Sequence, residues 1–101
     1  MANQTRIEKQ TTGTSGRYFA HIDGIPGEAE ITFTIRGPKL ISADHTGAPD
    51  SMRRTGAAAA LVEHMIADAR DNAFKILPVC PYVEAQYRKN PEWQDVMTEA
   101  P

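Results

Sequence analysis

The chain has 101 residues, room for one hydrophobic core but not two, so a single domain over residues 1–101 is expected, ordered from about 6 to 97. Hydrophobic residues at 41% and charged residues at 24% match ordinary globular usage and exclude wholesale disorder. Eleven Lys and Arg against thirteen Asp and Glu leave a net charge of −2, which argues against nucleic-acid or anionic-membrane partners.

The first sixteen residues are polar and hold no signal-peptide core, so a cytoplasmic location is expected. From residue 6 to 46 short alternating runs are punctuated by Thr-Gly-Thr-Ser-Gly at 12–16, Asp-Gly-Ile-Pro-Gly at 23–27 and Arg-Gly-Pro at 36–38. Those are turn signals between strands. The clearest strand is Glu28 to Arg36, with Ile31, Phe33 and Ile35 on one side and Glu30, Thr32 and Thr34 on the other. Arg17 to Asp23 and Lys39 to Thr46 read as its neighbours in an antiparallel meander.

From about residue 55 the period becomes helical. Ala58, Leu61, Val62, Met65, Ile66 and Ala69 form the predicted buried stripe, while Glu63, Asp68 and Asp71 are predicted to stay exposed. The apolar stretch from Gly56 to Val62 is far too short to span a bilayer. Asn72 is the predicted stop, and Lys75 to Val79 is a second apolar strand. Tyr82 to Asn90 and the segment opened by Pro91 predict short helical pieces. A strand, a helix and a strand imply a right-handed βαβ crossover with a parallel pair. The predicted fold is therefore α/β, an antiparallel meander leading into a βαβ unit, with one long helix and short C-terminal helices.

The start of the long helix carries the most chemistry. A helix N-terminus presents about four backbone N–H groups without intrahelical partners, and acidic residues usually answer them. Here Gly56-Ala57-Ala58-Ala59-Ala60 follows Thr55, two arginines (Arg53 and Arg54) precede it, and no carboxylate appears before Glu63. Small side chains beside arginines would let a phosphate or pyrophosphate approach the backbone. Four alanines are equally good helix formers in their own right. Both readings stand on these residues alone.

The predicted topology also gathers side chains. His45 falls at the carboxyl end of the first parallel strand and Cys80 at that of the second, where ligands of βαβ units tend to sit. An imidazole beside a thiol can activate it as a nucleophile. A lone cysteine is also commonly a small buried hydrophobe, and His45 could be a turn residue. One cysteine excludes an internal disulfide framework, and no metal-ligand spacing appears, so no metal is assigned.

Taken together these segments resemble the GNAT superfamily of acyl-CoA-dependent N-acetyltransferases, and within it the minimal YjdJ-type branch. Arg53-Arg54-Thr55-Gly56-Ala57-Ala58 is similar to the acyl-CoA loop pattern Arg/Gln-x-x-Gly-x-Gly/Ala. The branch's His-Thr pair is met by His45-Thr46, its Pro-x-Cys-x-Tyr-Val by Pro78 to Val83, and its terminal Pro-Glu-aromatic segment by Asn90 to Asp95. Arg54 stands where that branch commonly has Gly, and Gly47-Ala48 replace bulkier residues.

The resemblance implies a minimal GNAT-like fold and an acetyl-CoA-dependent transfer to an unidentified amine, with a protein amine as one acceptor class. It implies that Arg53, Arg54, Thr55, Gly56, Ala57 and Ala58 hold the CoA pyrophosphate, and that Cys80 and His45 are catalytic, with Tyr82 or Cys80 protonating the departing thiolate. Only Thr12 to Gly16 separates the first two strands, so the helices that usually wall the acceptor pocket are missing. The alternatives are a noncatalytic acyl-CoA-binding module and, with Trp93 and Tyr87 as its only support, a protein-interaction domain.

Overall fold

The computed structural model describes residues 5–52 and 55–98. Arg53 and Arg54 lie outside the described residues, as do residues 1–4 and 99–101.

Four antiparallel strands come first: β1 (Thr5–Thr12), β2 (Ser15–Ile22), β3 (Ile25–Gly37) and β4 (Leu40–Gly47). Helix α1 (Ala57–Asn72) then crosses over to β5 (Lys75–Pro78), which pairs parallel with β4, giving the order β1-β2-β3-β4-β5. Helix α2 (Pro81–Lys89) and a 3-10 turn (Pro91–Asp95) finish the described chain. The expected meander and βαβ unit are both present. Strand β3 is longer than its alternating heart because it runs straight out of the Asp23-Gly24 turn. Among the described residues, no helix is long and apolar enough to cross a membrane.

Alternation decides the two sheet faces. Tyr18, Ala20, Ala29, Ile31, Phe33, Ile41 and Ala43 are buried on the face that the helices cover, α1 over β2 and β3 and α2 over β4, while Arg17, His21, Glu28, Glu30, Thr32 and Thr34 on the other face stay half exposed. Gly16 is required where it pairs with Phe33, because a Cβ there would overlap the Phe33 ring.

The buried stripe of α1 is Ala57, Leu61, Val62, Met65, Ile66 and Ala69. The sequence pattern places Ala58 in that stripe; the structure puts Ala57 there and leaves Ala58 half buried. The reason is the i, i+4 relation of Ala57 to Leu61, which a run of four identical alanines conceals. Glu63 and Asp71 are exposed as expected, but Asp68 is not. Its carboxylate accepts hydrogen bonds from the buried Tyr18 hydroxyl at 2.7 Å and from Lys9 Nζ at 2.8 Å, tying α1 to β2 and β1. Burial alone would raise the Asp68 pKa, but hydrogen bonds from Lys9 and Tyr18 outweigh it and hold the carboxyl below its ordinary value.

Candidate functional site

Two structural events shape the region around the start of α1. The first is the end of the β4–β5 ladder. Pairing runs from Leu40–Lys75 to Ala43–Pro78, and one further bond, from the Cys80 N–H to the Ala43 carbonyl at 2.8 Å, closes it. Strand β4 continues through Gly47 along β3 without β5 beside it. Pro78 and Pro81 explain why: neither can donate a ladder bond, and Pro81 opens α2 as its first residue. From Asp44 onward the β5-side edge of β4 is thus free of a strand partner.

The second event is a β-bulge in β4. Phe33 pairs with Ala43, but Thr32 pairs with His45, so Asp44 is an extra residue. Its carboxylate accepts from Thr34 Oγ1 at 2.6 Å and Ser42 Oγ at 2.7 Å on the face away from α1. The bulge reverses the alternation of everything after it. His45, opposite Thr32, lies exposed on the face away from α1, while Thr46, opposite Ile31, lies on the α1 side.

That reversal separates the predicted pair. Cys80 is buried, and its Sγ is hydrogen-bonded at 3.3 Å to Thr46 Oγ1, not to an imidazole. His45 sits across the strand from it. Nothing in the run Ser-Ala-Asp-His-Thr marks where a bulge falls, so simple alternation sends His45 to the wrong face.

The loop before α1 has the conformation that close backbone approach requires. Gly56 adopts φ +83°, a left-handed state costly for any other residue, with open space where a Cβ would point. The first intrahelical bond runs from the Ala60 N–H to the Gly56 carbonyl at 2.9 Å. Thr55 Oγ1 accepts from the Ala57 N–H at 3.2 Å while donating to the Met52 carbonyl at 2.6 Å. The first turn, which holds Ala58 and Ala59, has no acidic residue to answer its amides, and among the described residues Thr55 is the side chain that answers one of them. Thr55 is thus a cap as well as a loop residue.

A cleft of about 330 Å³ here is walled by Gly56, Ala57, Ala58, Ala59, Ala48, Met52 and Tyr82. The structure brings Gly56, Ala57, Ala58 and Tyr82 to one mouth, with Thr55 next to it in the chain, and adds Ala59, one alanine further than the sequence pattern reached. Burial raises the pKa of the Tyr82 hydroxyl, keeping it a proton donor. A second cavity, between β5 and α2, is lined by Leu77, Pro78, Glu84, Tyr87 and Arg88 and contains none of these residues. Among the described residues no group of His, Cys, Asp or Glu could hold a metal ion.

The arrangement suits a ligand with an anionic group at one end and an extended arm at the other. A helix start without an acidic residue is suited to an anion, and the edge of β4 beyond Ala43 leaves main-chain groups to which an extended arm can pair. Two comparisons with known proteins bear on the family and the fold. Residues 17–96 match the profile of the family described as GCN5-related N-acetyl-transferase. Among solved structures, the NMR structure of a GCN5-like protein from Staphylococcus aureus superposes with a TM-score of 0.66 at 25% identity, over 93% of this chain and 90% of that one. No curated protein matches the sequence.

Proposed function

The chain belongs to the GCN5-related N-acetyltransferase family, and from that premise we propose that it moves an acetyl group from acetyl-CoA to an amine. The observation that carries the reading is the end of β4–β5 pairing at Ala43, which leaves the Asp44–Gly47 edge without a strand partner, together with a first turn of α1 that holds no acidic residue. The Ala58 and Ala59 amides, with Gly56 giving backbone access, would hold the pyrophosphate, joined by Arg53 and Arg54 if the loop motif is used as in the family. The β4 edge from Asp44 to Gly47 would pair with the pantetheine arm, directing the thioester toward Thr46 and Cys80.

The bulge supports direct transfer over an acetyl-cysteine intermediate. A buried Cys80 already bonded to Thr46, with His45 on the opposite face, lacks the adjacent base that a nucleophilic thiol needs. The same separation suits two proton transfers on two sides of one strand. His45, on the exposed face, accepts the proton of the attacking amine, and Tyr82 or Cys80, on the cleft side, protonates the departing thiolate. With only Gly13 and Thr14 between β1 and β2, nothing from that connection walls the exposed face, so the acceptor would be an amine on a large or open substrate. A reduced, cytoplasmic setting fits the free Cys80 and the source of acetyl-CoA.

The test is incubation with acetyl-CoA, read as a thermal shift, as protein mass, and as acetylation of a panel of peptide and small amines. Binding, turnover and no covalent acetyl-protein are expected. His45→Ala should lower the rate at neutral pH more than it lowers affinity, and Cys80→Ala should slow turnover while leaving binding nearly intact. A persistent acetyl group on Cys80 overturns direct transfer. Binding with no turnover on any amine supports the alternative, a noncatalytic acyl-CoA-binding module.

A further inference from the structure

The free edge of the sheet at β1 has a self-complementary register. We propose that two copies of this chain pair β1 to β1 about a two-fold axis centred on Ile7, joining two five-stranded sheets into one continuous sheet. The main-chain phase comes first. The Thr14 carbonyl accepts from the Ile35 N–H, so the even residues of β2 bond toward β3 and the odd ones, beginning with Ser15, toward β1. Thr12, Gln10, Glu8 and Arg6 then spend their main-chain groups on β2, and Thr5, Ile7, Lys9 and Thr11 aim theirs outward.

Among the antiparallel registers centred from Arg6 to Lys9, one satisfies both those outward groups and the side chains. Centred on Ile7, it sets Ile7 against Ile7 and Thr5 against Lys9 as bonded pairs, and sets Arg6 against Glu8 twice as close, unbonded pairs of opposite charge. Moving the centre to Arg6, Glu8 or Lys9 brings two like charges directly opposite each other, which is unfavourable.

The edge also lacks its usual guard. An edge-strand lysine normally projects outward and blocks pairing. Here Lys9 folds onto the α1 side, its Nζ 2.8 Å from Asp68 Oδ2 and within 5.3–5.7 Å of the Phe74, Tyr18 and Phe33 ring centres. Among the described residues Glu8 has no ion-pair partner, and Arg6 has only Asp23, at 3.3 Å with both side chains mostly exposed. A short strand pairing buries less than a standard interface, so the dimer is a weak, concentration-dependent one.

Sedimentation velocity on the intact chain over roughly 1–500 µM tests this. A doubling of the 11.1 kDa monomer mass with rising concentration is expected. Arg6→Glu or Glu8→Arg alone should weaken association at least about tenfold, because two attractive pairs become repulsive. The double charge swap should restore it to near the wild-type value, and Asp23→Ala should leave it unchanged. Because positions 6 and 8 are exposed, thermal unfolding should certify each variant as folded. A wild type that stays monomeric throughout, single variants that associate like wild type, or a folded double swap that fails to recover would each overturn the proposal.

Discussion

Both ends of α1 turn through a left-handed residue, and they are finished in opposite ways. At the C-terminus Ala73 adopts φ +57°, its N–H and that of Phe74 both bond to the Ala69 carbonyl, and Arg70 ties the last turn to Asp95 and the Glu92 carbonyl. At the N-terminus Gly56 adopts φ +83°, among the described residues only the Ala57 amide receives a side-chain acceptor, and Ala58 and Ala59 line a cleft. The C-terminal end uses a strained alanine and closes the Ala69 carbonyl with two backbone N–H groups; the N-terminal end uses an unstrained glycine and has no acidic residue in its first turn. Stability is concentrated at one end and binding capacity at the other, because a helix terminus cannot satisfy its own orphan amides and also offer them to a ligand.

The largest effect should come from the side chain that anchors the C-terminal half to the sheet. Asp68→Ala leaves the buried Tyr18 hydroxyl without its acceptor and should cost about 3 kcal/mol, read by denaturant unfolding. The same residue gives a pH signature. Its carboxyl titrates lower in the folded chain than in the unfolded one, so its contribution is complete above the ordinary carboxylate pKa of about 4 and drains away as pH falls through the lowered folded value. Asp68→Asn should therefore flatten the acid limb of the stability profile, and an unchanged limb would assign acid sensitivity to other carboxylates.

Next in size is the N-terminal glycine. Gly56→Ala should cost about 1–2 kcal/mol through its left-handed backbone alone, since the new Cβ meets open space. It should also abolish the thermal shift produced by CoA, a loss that Ala→Ser changes elsewhere on α1 would not cause. The mirror experiment at the other end has the opposite sign. Ala73→Gly relieves the left-handed strain and should raise stability by about 0.5–1 kcal/mol while leaving the CoA shift intact. Should both glycine exchanges act alike on ligand binding, the division of labour between the two ends fails.

The smallest effect is expected at the exposed clamp. Arg70 holds Asp95 below its usual carboxylate range, first through their hydrogen bonds, but both side chains are about half exposed and salt screens the pair. Arg70→Ala should move the unfolding midpoint least of the four. A large drop would mean that the 3-10 turn from Pro91 to Asp95 depends on this ion pair more than on the burial of Trp93 and Val96.

Local periodicity was enough to read most of this molecule. The alternation of Ile31 and Phe33 against Glu30, Thr32 and Thr34 specifies a half-buried strand whatever surrounds it, and the spacing of Leu61, Val62, Met65 and Ile66 specifies one helical face. The glycine before a run of alanines with no nearby carboxylate marks a helix start without acidic caps, but composition alone leaves both an anion site and a plain good helix former standing. Tertiary structure decided what depends on a partner strand. The extra residue at Asp44 exists only relative to β3, and it alone sends His45 to one face and Thr46 to the Cys80 side. Asp68 reads as a surface charge on the helical wheel until Tyr18 and Lys9 arrive from strands fifty or more positions away in sequence. A one-residue shift of register reverses every side chain beyond it, and no pattern within the strand itself records where that shift occurs.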